Sequence, residues 1–389
     1  MNVPKLRFKD DDGREFTEWE SDLIGNFSEF IQSGKSKVRN ENGDFVLYGS
    51  TGKIGFCNKW DYQGKNILIA RVGANAGFLY EIDGNYCVSD NTLILHLKKP
   101  NNYSFFCNLL KFLNLNKLVF GSGQPLITGS QLKNLNVFVP TFQEQTKIAN
   151  FLTAIDEKIT QLTQKHDILK QYKKGVMQQI FSQKLRFKDE DGREFPEWEE
   201  RSLGEVVENN GGTALEEFVS EDGTHNFISI GNYEKDGHYF DNGQRIVLNP
   251  KTKLKLLNAG DLVMVLNDKT SSGDLIGATI LVNASNKYIY NQRSERLTCK
   301  TGVIQSKYIW HFLNSHKFRK TVFSISQGGT QIYVNFPAVK KLMVPVPTIL
   351  EQTKIANFLT AIDDKITHTQ TQLNAVKLYK KGLLQQLFV

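Results

Sequence analysis

The chain has 389 residues, of which 40% are hydrophobic and 11% aromatic, and it carries a formal net charge of +7 at pH 7. Its length fits two domains, its composition can bury a core and excludes long disordered segments, and no apolar run approaches the roughly 20 residues that cross a bilayer. The four scattered cysteines form no CxxC pair, which argues against a disulfide framework and a bound metal. The start of the chain is too charged for a signal peptide, so we expect a cytoplasmic protein.

Two segments occur twice. Residues 5–19 read KLRFKDDDGREFTEW and residues 184–198 read KLRFKDEDGREFPEW, with 13 of 15 positions identical at an offset of 179. Residues 140–160 read PTFQEQTKIANFLTAIDEKIT and residues 347–367 read PTILEQTKIANFLTAIDDKIT, with 18 of 21 identical at an offset of 207. The chain therefore contains two units of one plan, whose shared ends enclose unlike inserts. This arrangement indicates one scaffold that presents two specificities.

The first insert, about residues 20–139, alternates glycine-rich turns with short runs of β-forming residues. This pattern predicts a curled antiparallel sheet with a helix near residues 103–119. The sequence GSTGK at 49–53 is too short for the GxxxxGK[ST] phosphate loop, and Ile54 replaces the hydroxyl that would hold magnesium. We therefore do not predict a nucleotide site here.

After Pro140, and again after position 347, the sequence turns helical, with Thr141 as N-cap and Glu144 completing a capping box. Apolar residues then recur every three or four positions for about 38 residues, which makes a helix of about 57 Å. The seven-residue repeat of this seam suits a partner helix, and the predicted partner is the other copy. Two units related by a twofold axis would pair the helices antiparallel.

Polar residues interrupt this seam, among them His166, Lys173, Thr369 and Lys380. Polar seam positions either set the register of the pair or mark places where the seam is merely wide. The residues predicted to hold the pair are Ile148, Leu152, Ile155 and Ile159 in the first helix and Ile355, Leu359, Ile362 and Ile366 in the second.

The second insert, about residues 199–346, divides by charge. Residues 199–241 contain 2 Lys and Arg against 11 Asp and Glu, whereas residues 245–346 contain 15 against 4. The basic part also holds Asn, Gln and Tyr, a composition that binds phosphates and reads base edges. A solvated basic face is the alternative interpretation.

The inserts end alike. At the offset of 207, Gln124 matches Gln331 and Lys133 matches Lys340, and both glutamines lie in glycine-rich turns. No methyltransferase, nuclease or nucleotide-hydrolysing motif is present, and Asp90 and Asp268 have no base or metal partner at a useful spacing. The chain is therefore predicted to bind rather than to catalyse.

With these repeats, the sequence closely resembles the specificity subunit of Type I restriction-modification enzymes. The resemblance rests on both PTxxEQTKIANFLTAID segments, on the YKKGxxQQxF segments at 172–181 and 379–388, on the matched insert ends and on RVGANAGFLYEIDGNYCVSDNTLIL in the first insert. It implies a protein that reads a bipartite, asymmetric DNA site with two target-recognition domains, separated by helices that fix the spacer. It also implies partners: double-stranded DNA, two modification (methyltransferase) subunits and restriction (motor-nuclease) subunits.

The expected fold class is α+β, with two globular mixed α/β target-recognition domains separated by two long antiparallel coiled-coil helices in a pseudo-twofold repeat. The expected domains are 1–139 (first target-recognition domain), 140–183 (central helix), 184–346 (second target-recognition domain) and 347–389 (C-terminal helix). The resemblance implies no catalytic residue and no cofactor on this chain, with S-adenosylmethionine, ATP and Mg on the partner subunits.

The DNA-contact candidates share a polar side chain in a basic or glycine-rich stretch of an insert. They are Lys53, Arg71, Asn75, Gln124 and Lys133 in the first insert, and Lys269, Arg293, Arg296, Arg319, Gln331, Tyr333 and Lys340 in the second. Two alternatives stay open. A self-contained DNA-modifying enzyme would bind S-adenosylmethionine as an isolated chain, and a coiled-coil scaffold without a DNA role would associate with DNA weakly and independently of salt.

Overall fold

A computed structural model describes residues 4–37, 40–119 and 126–388. Within them, no helix is both long and apolar enough to cross a membrane. The chain divides into two compact units, of which unit 1 comprises residues 1–164 and 370–389 and unit 2 comprises residues 165–369.

Unit 1 begins with short strands and ends with halves of two long helices. Its elements are β1 (Glu20–Leu23), α1 (Ile24–Phe27), β2 (Ser28–Ser33), β3 (Phe45–Gly49), β4 (Gly52–Cys57), β5 (Tyr62–Gln63), β6 (Asn66–Ala70), β7 (Leu79–Ile82), β8 (Asn85–Val88), β9 (Thr92–Leu97), α2 (Tyr103–Leu113), a 3-10 turn (Leu115–Leu118), α3 (Gly129–Lys133), β10 (Asn136–Val139) and the start of α4 (Phe142–Phe181). The helix predicted near 103–119 is thus α2 followed by the 3-10 turn.

Two four-stranded sheets form the first insert. The sheet β2-β9-β6-β7 is antiparallel throughout, whereas the sheet β4-β3-β8-β5 contains one parallel pair, β3 with β8. The prediction of an antiparallel sheet is correct for the first and incomplete for the second. The core of the unit lies between the first sheet, α2 and the long helices.

Unit 2 has more and shorter elements. They are β11 (Glu199–Ser202), α5 (Leu203–Val206), β12 (Val207–Gly211), 3-10 turns (Glu216–Phe218 and Ile230–Asn232), β13 (His225–Ile228), β14 (Arg245–Ile246), α6 (Pro250–Lys253), β15 (Leu262–Val265), β16 (Asn267–Asp268), β17 (Thr279–Leu281), β18 (Tyr288–Tyr290), β19 (Ser294–Cys299), α7 (Ser306–Leu313), α8 (His316–Ser324), β20 (Gln327–Gly328), β21 (Ile332–Tyr333), α9 (Phe336–Val339), β22 (Met343–Val346) and the start of α10 (Ile349–Leu387).

The second insert repeats the sheet plan of the first. The antiparallel sheet β12-β19-β15-β17 corresponds to β2-β9-β6-β7, and β13 pairs parallel with β18 as β3 does with β8. A small sheet, β16-β21-β20, is additional. Inserts with little common sequence therefore share one strand order, because strand pairing depends on the spacing of apolar residues rather than on their identity.

The long helices pair antiparallel inside each unit. In unit 1 the first half of α4 packs on the last half of α10, where buried Ile148, Leu152 and Ile155 share a core with Leu383 and Leu387. Unit 2 has the reverse arrangement, in which the first half of α10 packs on the end of α4. There Ile355, Leu359 and Ile362 are buried, while Ile159 in unit 1 and Ile366 in unit 2 are half-buried against the two cores. The expected fold class, including the antiparallel helix pair, is confirmed.

Two of the polar seam residues form ion pairs between the helices. Lys380 Nζ lies 2.6 Å from Asp156 Oδ1 in unit 1, and Lys173 Nζ lies 2.5 Å from Asp363 Oδ1 in unit 2. The two pairs are equivalent in the repeat. Since a lysine near the end of one helix meets an aspartate near the start of the other, this pairing fits only the antiparallel orientation.

The two repeated sequence segments contact each other within each unit. Arg7 Nη2 lies 2.7 Å from Glu144 Oε2 in unit 1, and Arg186 Nη2 lies 2.8 Å from Glu351 Oε2 in unit 2. Thr141 Oγ1 accepts a hydrogen bond from the Glu144 backbone at 3.4 Å, as the predicted N-cap should. The Glu144 side chain, however, binds Arg7 instead of turning back to complete the capping box.

Candidate nucleic-acid interface

Three loops of unit 1 meet at one end of its sheets. Arg71 N donates to Asn91 O at 3.1 Å, Ser50 Oγ donates to the same carbonyl at 2.8 Å, and Ile127 N donates to Arg71 O at 2.8 Å. These bonds join the tip of the β3–β4 hairpin, residues 71–78 and residues 89–91, which we name the first loop cluster. Loops anchored by backbone hydrogen bonds to a rigid sheet are suited to ligand binding.

The first loop cluster contains three of the predicted contacts. Lys53 and Asn75 are exposed, and the Lys53 ammonium lies 4.0 Å from the centre of the Phe56 ring. Arg71 is half-buried; its Nη1 reaches Asp90 O at 3.5 Å, and its Nε is buried without a hydrogen-bond partner among the described residues. Lys133, at the end of α3, lines a small cleft with Arg71. Gln124 lies outside the described residues.

Unit 2 has a corresponding second loop cluster, made of residues 267–277, residues 291–293 and the β20–β21 hairpin. Leu266 N donates to Arg293 O and Val334 N donates to Leu266 O, both at 2.9 Å, and Asn267 pairs with Tyr333. The structure thus brings together loops that are up to about 60 residues apart in the sequence.

Four of the predicted contacts lie in the second loop cluster. Lys269, Arg293 and Gln331 are exposed, and Tyr333 is 42% exposed with its hydroxyl donating to Gln327 Oε1 at 3.1 Å. Exposed cationic and amide side chains on one surface can contact phosphates and base edges together. Two further candidates lie beside this cluster: Arg296 is half-buried in β19, and Lys340 is exposed after α9.

Arg319 is used inside the protein. Its guanidinium donates to Ile276 O at 2.8 Å, to Asp274 O at 2.7 Å and to Lys235 O at 3.2 Å. Burial lowers the pKa of Arg319 to about 10, although the charges of nearby aspartates oppose this. Each guanidinium nitrogen of Arg319 is therefore already engaged by a backbone carbonyl, so we do not place Arg319 in the DNA interface.

Asp268 holds the same loop from the other side. Its carboxylate accepts from Thr270 N at 2.9 Å and from Leu275 N at 2.6 Å. Burial would raise the pKa of Asp268, but these backbone hydrogen bonds outweigh it and lower the pKa. Asp268 and Arg319 together fix the loop that carries Lys269, which reduces the entropy lost when a ligand binds.

Two residues of this region were missed in the sequence. Phe78, which is not among the predicted DNA contacts, closes the 71–78 loop and is 57% exposed. Glu295 is buried near the second loop cluster, where an acidic residue in a basic stretch gave no signal. The flanking Gly73 and Gly77, both with positive φ, were the only indication that Phe78 follows a tight loop. No group of three His, Cys, Asp or Glu side chains in the described ranges could hold a metal ion.

Comparison with known proteins shows that one family model matches this chain twice. The family model described as "Type I restriction modification DNA specificity domain" matches residues 17–171 and 196–378. The MjaVIII specificity subunit of a Type I restriction enzyme from Methanocaldococcus jannaschii is 25% identical, over 95% of this chain and 92% of that protein. A specificity subunit assigned to a Type I restriction enzyme of Haemophilus influenzae is 21% identical, over 84% and 81% of the two chains.

Solved structures agree in fold. The S subunit of a Type I restriction-modification system from M. genitalium superimposes with a TM-score of 0.67, at 18% identity and over 100% of this chain and 99% of that one. A chain from a study of complex assembly and conformational transition in the Type I R-M system gives a TM-score of 0.56, at 14% identity and over 96% and 97% of the two chains.

Proposed function

Because the chain belongs to the family of Type I restriction-modification DNA specificity subunits, whose domain it contains twice, we propose that its two units read the two parts of one bipartite, asymmetric DNA site. Members of this family are the non-catalytic, DNA-binding components of larger complexes. Neither a self-contained DNA-modifying enzyme nor a scaffold without a DNA role has support from the relatives.

The observation that supports this reading function is the repetition of one sheet order under two different loop clusters. The sheets β2-β9-β6-β7 and β12-β19-β15-β17 have the same order, but the clusters above them differ in residue type. Base readout depends on the donors and acceptors that a loop presents, whereas the sheet below only positions them. One fold with two sets of side chains therefore fits two different half-sites.

The repeated frame supports two copies of one protein partner. The contacts between the repeated segments recur in both units, and Tyr172 and Tyr379, which are equivalent in the repeat, are 51% and 57% exposed. Equivalent surfaces bind equivalent partners. We propose that these partners are two modification subunits, which bind S-adenosylmethionine and methylate an adenine turned out of each half-site. Restriction subunits that use ATP and Mg complete the assembly, and this chain binds no cofactor itself.

The test is single-molecule sequencing of adenine methylation in cells that express this chain with its modification subunit, compared with cells that lack the chain. The expected result is a new methylated motif in two parts separated by a fixed, unspecified gap. Unchanged methylation with both proteins present and assembled would refute the proposal.

Exchange of one insert separates this proposal from a general DNA-binding role. Replacing residues 20–139 by the corresponding insert of another specificity subunit should change one half of the methylated motif and leave the other half intact. If both halves changed, each unit would not read its half independently.

A further inference from the structure

Each unit has a cleft between its antiparallel sheet and the short helix that precedes its last strand. The cleft of unit 2 has a volume of about 800 Å³ and is lined by Asn209, Glu295, Phe336 and Lys340, among others. The cleft of unit 1 is smaller, about 210 Å³. The residues that line it include Ile31, Leu93, Gly129 and Lys133.

The strand registers show that these clefts are equivalent. Ile31 pairs with Leu95 in unit 1 as Asn209 pairs with Leu297 in unit 2. Between the next two strands of each sheet, Leu93 of β9 pairs with Ile69 of β6, as Glu295 of β19 pairs with Met264 of β15.

Asn209 and Glu295 of unit 2 therefore occupy the positions that Ile31 and Leu93 occupy in unit 1. Lys340 corresponds to Lys133.

At these positions unit 2 replaces two apolar residues by a polar pair. Glu295 is 6% exposed, and its Oε1 accepts a hydrogen bond from Asn209 Nδ2 at 2.7 Å. Burial raises the pKa of Glu295, against the effects of this hydrogen bond and of the Lys255 and Lys340 charges. In unit 1, Ile31 and Leu93 are 6% and 2% exposed and need no such compensation.

The packing of the core does not explain why a carboxylate, that of Glu295, stands at this buried position. A buried charge costs several kcal/mol unless it is fully compensated, and the twin cleft is built with a leucine at that position. Glu295 Oε2 receives no hydrogen bond from any residue in the described part of the chain, although it lines an open cleft. An acceptor that belongs to a nearly buried side chain, is positioned by a neighbour and has an oxygen without a protein donor is suited to binding a donor from a ligand.

The surroundings indicate which donor. Glu295 follows Arg293 of the second loop cluster by two residues, and Lys340 and Lys341 line the same cleft. In the major groove of DNA, the base groups that donate to a carboxylate are the exocyclic amines of cytosine and adenine, and the adjacent phosphates accept from lysine.

We propose that Glu295 is a specificity-determining residue of unit 2, which accepts a hydrogen bond from the exocyclic amine of a cytosine or adenine in its half-site. Asn209 positions the carboxylate, and Lys340 binds a neighbouring phosphate. Unit 1 lacks this contact because Ile31 and Leu93 offer no acceptor. The proposal rests on the function proposed above and assigns part of the difference between the two half-sites to one matched pair of clefts.

The twin cleft supplies the test variant. Asn209→Ile with Glu295→Leu copies unit 1 into unit 2, so the fold is expected to keep its thermal midpoint or gain stability. The methylated motif, sequenced as above, should lose its preference at one position of one half-site by roughly 5- to 150-fold, the range for one good base contact. The other half-site should be unchanged.

Two further variants keep the test decisive. Glu295→Gln preserves the shape; with its oxygen bonded to Asn209 it presents an amide donor, so preference should move towards a base with an acceptor at that position. Glu205→Gln is the matched control, since Glu205 lines the same cleft and caps α5 through Ser202, a role that glutamine also fills; it should leave the motif unchanged.

The outcomes are separable. If the wild-type chain directs no two-part methylation, the proposed function fails and this inference with it. If the wild type does so and both Glu295 variants give the same motif, Glu295 does not read a base. Loss of all methylation, or relaxation of both half-sites in a folded variant, would also overturn the proposal, because either result would place the cleft at a protein partner or in general DNA binding.

Discussion

The interhelical ion pair occurs twice in the repeat with different burial, which makes its contribution measurable inside one protein. The side chains of Lys173 and Asp363 are 12% and 9% exposed, whereas those of Lys380 and Asp156 are 17% and 47% exposed. We expect Asp363→Asn to destabilise the protein much more than Asp156→Asn does, although both changes neutralise an equivalent aspartate.

The reason is that removing the Asp363 charge leaves the Lys173 ammonium nearly buried and unpaired. Asp363 is enclosed by Lys173 and by His238 and His311, which both lie 3.9 Å from its carboxylate. Burial would raise the pKa of Asp363, but His238 and the Lys173 ammonium outweigh it and lower the pKa, so the carboxylate is charged at neutral pH. Neutralising it leaves a nearly buried ammonium without a counter-charge, which costs about 3–5 kcal/mol. The more exposed pair contributes about 0–1 kcal/mol.

Thermal unfolding of the purified full chain, followed by circular dichroism, measures the difference. For a unit of about 200 residues, 1 kcal/mol shifts the midpoint by about 2–4 °C. Asp363→Asn should therefore lower the midpoint of its transition by about 6–20 °C, and Asp156→Asn by less than about 4 °C. Similar losses in the two variants would refute the reasoning that burial sets the cost.

A double variant tests whether the unpaired Lys173 charge causes this loss of stability. Lys173→Met with Asp363→Leu removes both charges, and replacing a buried ion pair by apolar side chains is often neutral or stabilising. The double variant should recover most of the stability that Asp363→Asn loses. If it were as unstable as the single variant, an uncompensated charge would not be the cause.

Three other predictions use residues with assigned environments. Burial, together with the charge of Lys173, lowers the pKa of His311 from 6.5 to about 3. As pH falls between these two values, the unfolded chain binds this proton before the folded chain does, so the free energy of unfolding decreases. His311→Gln should remove about 2 kcal/mol of that decrease by pH 5, as measured by urea titrations. Arg293→Ala should weaken DNA binding and reduce the slope of log K against log salt by about 0.9, whereas Arg319→Ala should lower the melting temperature without that change in slope. Changing Ile155 and Ile362 together to Asp should abolish bipartite recognition and leave weak half-site binding in anisotropy assays; full-affinity binding would contradict the role of the helix pair.

The helices could be predicted because their seam has a period. Ile148, Leu152 and Ile155 follow the spacing of one helical face, and the structure buries all three. The partners of Lys173 and Lys380 could not be predicted in the same way. A lysine in an apolar seam has no local signal for its counter-ion, which is set by the antiparallel alignment of a helix about 200 residues away.

For the loop residues, the sequence predicts the basic region but not which side chains are free to bind DNA. Lys269, Arg293 and Arg319 all lie in the basic part of the second insert, so residue type predicted a DNA contact for each of them. The local sequence does not distinguish an arginine that binds phosphate from one that binds backbone carbonyls, because the guanidinium donors are the same. Only the three-dimensional contacts distinguish them: Arg319 donates to three carbonyls of its own unit. Likewise, the strand registers, and not the sequence, show that Glu295 occupies the position of Leu93 in the other unit.

The exact repetition of EQTKIANFLTAID has a physical account in these contacts. Gln145 Nε2 donates to Pro140 O at 3.0 Å and Gln352 Nε2 donates to Pro347 O at 2.8 Å, while the Oε1 of each accepts from the backbone at the start of α2 or α7. The lysine two residues later donates, in both units, to a backbone carbonyl of the other repeated segment at 2.8 Å. A side chain whose donor and acceptor are both engaged tolerates no substitute of different shape. The frame is therefore constrained by contacts that occur once in each unit, whereas the inserts need only keep the apolar spacing of their strands and can change the loops that face a ligand.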